Sequence, residues 1–332
     1  MLGCESMKKP QNKIMSHDDL LGLFYSHPPI ETFGPKTEHL YIAFRLGAAD
    51  IALAEWLKRL PCPVIGIGNG PMSQACDVTL PNDKMLPQIE CNISKNPIAA
   101  MVLVQHLRAS ETQNLKDTLT AESFTYGTLQ NGPEFKAWLS THIREPLSIS
   151  SSPSLNVERQ DNRLSLTFNR PDTRNAIGTD MRDALCRALD MAIIDTSISK
   201  ITLTGKGATF STGGAVEEFG EVSDPATAHW VRSLRLPASR LVPLRDKFHV
   251  HINGAAIGAA IEIAAFGKYI SASPKAWFQL PELKYGLIPG AGGTASITAR
   301  IGRQKIAYMA LSMKRIRAQR ALDWGLIDAV ID

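Results

Sequence analysis

From residue 40 onward, apolar and polar positions fall into short runs with two periods. LYIAF (40–44) alternates as a strand does, AADIALAEWLKRL (48–60) repeats its apolar residues at helical spacing, and PCPVIGIG (61–68) reads as a buried strand ended by Gly-Asn-Gly. Residues 85–142 change to longer amphipathic stretches. NPIAAMVLVQHLR opens with Pro97 at the first helical position after Asn96. LKDTLTAESFTYGTLQ and GPEFKAWLSTHI follow, separated at Asn131-Gly132-Pro133. The pattern then alternates. RLSLTF, KITLTG, FHVHIN and KYISAS read as strands, and MRDALCRALDMAIID as a helix with Met181, Leu185, Leu189 and Ala192 on one face. FHVHIN leads into a small-residue helix, and the last thirty residues read as helix, connector, helix, turn and strand. Such alternation predicts α/β architecture, and no fixed-period repeat suggests a solenoid.

The same pattern divides the chain. Residues 1–38 are polar and rich in Pro, His and Ser, and predict a flexible tail. Residues 39–84 form a small β-α-β extension, and 85–150 a helical subdomain ending in the Ser- and Pro-rich EPLSISSSPSL linker. Residues 151–332 form the main core.

Composition changes this picture little. The chain has 332 residues, 44% hydrophobic and 20% charged, which excludes a wholly disordered or collagen-like chain. The longest apolar stretch, near 255–266, is too short to span a bilayer and carries a glutamate. MLGCESMKKPQNK lacks the apolar run of a signal peptide, so the expected location is the cytoplasm. A net charge of +4 with interspersed signs favours an anionic small ligand over a nucleic acid. Cys4, Cys62, Cys76, Cys91 and Cys186 form no CxxC pair and read as reduced thiols. His249 and His251 share a strand face without a third ligand, so no metal site is expected, and Ser211 and Thr212 lack a nearby His/Asp partner for nucleophilic work.

Three segments carry the candidate chemistry. TGKGATFSTGGAV (204–216) runs a strand into glycines but matches neither phosphate-loop spacing, so by itself it fits a tight turn equally well. INGAAIGAAIEIAAF (252–266) has Glu262 as its only charge. A carboxylate in such surroundings either serves as an acid or base or sits in a first helical turn favoured by the macrodipole. AWFQLPELKYGLIPGAGGTASI (276–297) places Glu282 after Pro281, ahead of Pro289-Gly290-Ala291-Gly292-Gly293. Alone, Glu282 fits a loop carboxylate as well as a catalytic one.

Taken together, LTFNRPDTRNAI, TGKGATFSTGG, INGAAIGAAIE, FQLPELKYGLIPGAGGT and AQRALDWGLIDAVI resemble the crotonase (enoyl-CoA hydratase/isomerase) superfamily over residues 155–332. The resemblance implies a crotonase-like spiral of ββα units and an acyl-CoA thioester as substrate, with coenzyme A entering only as part of it and no other cofactor. It implies an oxyanion hole made by the Gly214 and Ala259 N–H groups, and Glu262 and Glu282 as the pair that holds water. Arg174, Ala176, Gly213, Ala215, Val216 and Gly258 match positions expected to contact the substrate. The implied activity is hydration of an α,β-unsaturated acyl-CoA, as in fatty acid metabolism. Enoyl-CoA isomerisation and acyl-CoA hydrolysis are the chemical alternatives. A trimer or hexamer is the implied assembly, with no nucleic-acid or membrane partner.

The chain departs from that pattern at three places. Gly213-Gly214-Ala215 stands where the family often has Gly-Ala-Asp, Gly267-Lys268 where it often has Cys-Asp, and the family's glycine-rich second oxyanion segment is here partly alanine, in Gly258-Ala259-Ala260. These departures motivate a rival of another class, a non-catalytic acyl-CoA-binding or assembly protein. The chain also reaches Asp332 without the helices that follow the closing strand in the family. Residues 85–142 resemble those helices, which predicts a circular permutation placing them first; an unrelated helical extension is the competing expectation.

Overall fold

Capping residues and alternating burial set the N-terminal elements in the computed structural model, which describes residues 14–144 and 152–331. Residues 1–13 of the expected tail and 145–151 of the expected linker lie outside these. Within the remainder of the expected flexible tail, residues 17–25 form a helix. Helix α1 (His17–Tyr25) begins with a reciprocal capping box, in which the Ser16 hydroxyl accepts the Asp19 N–H and the Asp19 carboxylate accepts the Ser16 N–H, each at 3.0 Å. Its Leu20 is fully buried, which anchors the segment. Then come β1 (Ile42–Arg45), α2 (Ile51–Arg59), β2 (Val64–Ile67) and β3 (Val78–Leu80), a parallel sheet in the order β1-β2-β3. Period-two alternation splits the faces of this sheet. Ile42, Phe44 and Val64 pack with α1 and α2, while Tyr41, Ile65 and Ile67 join the main core. The β-α-β extension is therefore bound into the body of the molecule.

Four helices follow: α3 (Leu86–Lys95), α4 (Pro97–Ala109), α5 (Leu115–Gln130) and α6 (Pro133–Thr141). Pro97 and Pro133 open α4 and α6 where a missing N–H costs nothing. Glu134 of α6 accepts the Ile98 and Ala99 N–H groups at 2.7 and 2.9 Å, capping α4.

The C-terminal part contains β4 (Leu155–Gln160), β5 (Arg163–Phe168), α7 (Thr179–Ile194), β6 (Lys200–Gly205), α8 (Pro225–Arg235), α9 (Pro237–Leu244), β7 (Phe248–Ile252), β8 (Ala255–Ile257) and α10 (Ala259–Ala264). It continues with β9 (Tyr269–Ala272), β10 (Trp277–Gln279), α11 (Gly293–Ile301), α12 (Arg303–Ser312), β11 (Ile316–Arg317), α13 (Ala318–Trp324) and β12 (Ala329–Val330). The main sheet has the order β12-β9-β7-β6-β5-β4, parallel except at the β4 edge. A second sheet, β11-β10-β8, takes one short strand from each of two successive turns. The units β7-β8-α10 and β9-β10-α11 thus repeat the expected ββα step. Met181, Leu185, Leu189 and Ala192 are all buried beneath α7, as their spacing predicts. The helical layer closes over this core, with α5 against α8, α9 and α11, and α12 against α3 and α4. Among the described residues, no helix is long and apolar enough to cross a membrane.

Candidate active site

Strand register brings the three glycine- and glutamate-bearing segments together. Parallel pairing of Gln279 with Ile257 sets the residues after β10 beside those after β8, so Pro281-Glu282 runs alongside Gly258-Ala259. Ser211 extends the arrangement, donating its N–H to the Ala255 carbonyl at 3.0 Å and accepting the Ile257 N–H at 3.1 Å. Residues 212–214 are thereby laid along 257–259. Gly213 has φ +83°, and a Cβ there would run into the Ile257 carbonyl and stand 3.3 Å from the Ala259 nitrogen. Only glycine permits so close an approach.

A cavity of about 1070 Å³ opens at this junction. Gly214, Ala215, Val216, Gly258, Ala259, Glu262 and Glu282 line it, as do Arg174 and Ala176. Gly213, expected to contact substrate, stands instead behind the wall, where its role is to turn the loop. Among the described residues, the Gly214 and Ala259 N–H groups have no intramolecular acceptor, Ala259 being the first residue of α10. Arg174 adopts the left-handed conformation (φ 54°), and its carbonyl accepts the Thr212 N–H at 3.1 Å.

The two glutamates differ in their partners. Glu262 is 1% exposed, and its Oε2 accepts the Ala291 and Gly293 N–H groups at 2.7 and 2.8 Å. Glu282 lies in a 3-10 turn (Glu282–Tyr285), and its Oε1 stands where a Cβ on Gly258 would come within 2.6 Å of it. Its Oε2 is buried without a hydrogen-bond partner among the described residues. Burial, followed by the neighbouring charges of Glu282 and Glu122, pushes the Glu262 carboxyl well above its ordinary range. Burial raises Glu282 to about 8. Such a pair holds a proton at neutral pH.

Glu122 and Tyr126 are site residues that the sequence did not single out. Both sit on α5, more than a hundred residues before the glutamates and the loop they meet. Glu122 is 1% exposed and accepts the Gly292 N–H at 2.7 Å, the Thr294 N–H at 2.9 Å and the Thr294 hydroxyl at 2.6 Å. Alternate N–H groups of residues 291–294 therefore go to two different carboxylates. Having given its proton to Glu122, the Thr294 hydroxyl takes one from His106 Nε2, 2.9 Å away. Burial lowers that imidazole to about 4, so it is neutral. The Tyr126 ring packs against Gly290 and lines the cavity.

The other candidates resolve into structural roles. His251 Nδ1 lies 3.0 Å from the Ser271 hydroxyl. The Ser211 hydroxyl accepts the Gly213 N–H at 3.0 Å. Cys62, Cys76 and Cys186 are buried free thiols.

A family model described as enoyl-CoA hydratase/isomerase matches residues 158–332. The chain is 36% identical over 174 residues to 2,3-dehydroadipyl-CoA hydratase of Escherichia coli (strain K12), covering 52% of this chain and 68% of that protein. It is 31% identical over 171 residues to the mitochondrial enoyl-CoA hydratase of Pongo abelii, covering 50% of this chain and 56% of that one. Among solved structures, an enoyl-CoA hydratase subunit I from Geobacillus kaustophilus HTA426 superposes with a TM-score of 0.50 at 27% identity, over 55% of this chain and 70% of its own. DspI of Pseudomonas aeruginosa gives 0.50 at 29% identity, over 57% and 72%. The described α/β spiral agrees with these likenesses, and the matched residues hold both glutamates and both backbone donors. The chain belongs to the enoyl-CoA hydratase/isomerase family.

Proposed function

We propose that this protein hydrates an α,β-unsaturated acyl-CoA. The observation that carries this reading is one cavity wall bearing two buried carboxyl groups together with two backbone N–H donors that have no acceptor among the described residues. In this reading the thioester oxygen accepts the Gly214 and Ala259 N–H groups, which stabilise negative charge as it develops there. A water sits between Glu262 and Glu282. The ionised carboxylate takes a proton from it, and the hydroxide oxygen bonds to Cβ. The π electrons move to Cα and the thioester oxygen, and Cα takes the proton held by the second carboxyl. Arg174, at the cavity mouth, supplies positive charge for the coenzyme A phosphates.

We further propose that α3 to α6 are the family's closing helices placed ahead of the core, a circular permutation. Glu122 and Tyr126, which reach the glycine loop and the cavity from α5, support it.

A panel of crotonyl-, 3-enoyl- and aromatic enoyl-CoA thioesters tests the activity. Glu262→Gln and Glu282→Gln are each expected to lower kcat by about 100-fold or more, the usual scale for losing an acid or base. Turnover in the wild type that survives both substitutions overturns the assignment. Tight acyl-CoA binding without turnover selects the non-catalytic reading, and double-bond migration without hydration selects isomerisation.

A further inference from the structure

Arg232 enters the cavity from α8 beside the loop that holds Glu262. Its guanidinium lies 3.7 Å over the Tyr126 ring, and one N–H donates to the Gly290 carbonyl at 2.6 Å. Among the described residues it forms no ion pair with a carboxylate. The acids near it are already engaged: Glu122 receives three donors and Glu262 two, all from residues 291–294. Val231, Leu236 and Ile263 are apolar residues that line the same cavity. A guanidinium carries five N–H donors, and a partly buried one is costly until an acceptor completes it. Contact with the Tyr126 ring restricts the guanidinium, whose planar fork suits the two oxygens of a carboxylate.

We propose that Arg232, backed by Tyr126, binds a carboxylate at the far end of the acyl chain, so that the substrate class is short ω-carboxylated enoyl-CoA. This rests on the hydratase reading above. The spacing sets the length. The Gly290 carbonyl and the Ala291 N–H belong to one peptide, and that N–H donates to Glu262 Oε2 at 2.7 Å. Ordinary peptide dimensions then place the guanidinium within about 8 Å of the Glu262 carboxyl. Only a few methylenes fit between a double bond at Glu262 and a charged end at Arg232. A long unbranched acyl tail would have to pass the guanidinium and bury it without an acceptor.

The test separates binding from turnover. Dissociation constants are measured for the mono-CoA thioester of a saturated six-carbon dicarboxylic acid and for hexanoyl-CoA, with the wild type, Arg232→Gln and Arg232→Lys. Hydration of the two matching 2-enoyl thioesters is measured alongside. The wild type is expected to bind the dicarboxylic thioester at least tenfold more tightly. Arg232→Gln is expected to bring that ratio close to one, while Arg232→Lys keeps part of it by charge alone. Equal binding by the wild type, or a preference that survives in Arg232→Gln with a native circular dichroism spectrum, overturns the proposal. A wild type that prefers the dicarboxylic thioester yet hydrates neither enoyl-CoA refutes the hydratase reading and leaves the subsite standing. One that hydrates both without preference does the reverse.

Discussion

Three buried carboxyl groups, Glu122, Glu262 and Glu282, lie near enough to act on one another, and each is held differently. Glu262 and Glu122 divide the N–H groups of the loop between them, and Glu282 leaves one oxygen unsatisfied. Glu122 therefore positions Glu262 from behind, through the backbone they share, and its charge adds to the upward push on both Glu262 and Glu282. The sign of its removal follows. Taking away a neighbouring negative charge favours the ionised form of the remaining pair, so both groups titrate lower. Hydration that needs the shared proton falls as pH rises through about 8, where Glu282 titrates. Glu122→Gln is expected to move that alkaline limb to lower pH while reducing kcat about tenfold, because glutamine has one acceptor oxygen where three donors now converge. The pH–rate profile is the check. A lower kcat with the limb unmoved would show that Glu122 acts through structure alone.

At the scale of elements, the site depends on two short strands and on the turn that opens α11. The β8–β10 register, which ends at the Ile257–Gln279 pair, brings the segments carrying Ala259 and Glu282 together, and Gly290 approaches Tyr126 of α5, as Gly293 approaches Glu262, too closely to carry a side chain. A Cβ at Gly293 would stand 2.5 Å from Glu262 Cγ. Gly293→Ala is therefore expected to lower kcat about 100-fold with little change in KM, at a stability cost of about 1–3 kcal/mol for overpacking. Steady-state kinetics with thermal melting checks this, and unchanged kcat in a folded variant would show that Glu262 tolerates displacement. Legibility followed the same physics. RLSLTF and KITLTG form β5 and β6 with unchanged bounds, because half-buried strands alternate strictly. Three-residue β8 is too short to show a period, and β4 buries only Leu155 fully, so neither stood out. Helices α8 and α9 also went unread, although α8 brings Arg232 to the cavity. Glu262 and Glu282 were visible as charges in apolar stretches. Glu122 was not, because LKDTLTAESFTYGTLQ has ordinary mixed polarity and its loop partners lie 170 and 172 residues away.

At the scale of the molecule, the N-terminal half is joined to the core by polar contacts as well as apolar ones. Asp77, at the start of β3, is 1% exposed and pairs with Arg108 of α4 and, at 3.0 Å, with Arg303 of α12. The N-terminal sheet, the helical layer and the core are thereby tied at one carboxylate. Asn92 of α3 adds a second tie, donating to the Leu311 carbonyl at 2.8 Å. Such an arrangement depends on which surfaces meet, not on the order in which the chain supplies them. If the helices are the family's closing layer relocated, reversing the relocation must preserve the site. A chain that starts at residue 152, runs to 332 and continues through a Gly/Ser linker into 1–144 makes that test. A linker of about 20 residues spans roughly 25 Å on average. The rearranged protein is expected to melt as one cooperative unit and to hydrate enoyl-CoA within about threefold of the native order, because Glu122 still meets Gly292 and Thr294 and Asp77 still meets Arg303. A rearranged chain that folds by circular dichroism but has lost hydration present in the native order would show that chain order helps to build the site, and would count against the permutation.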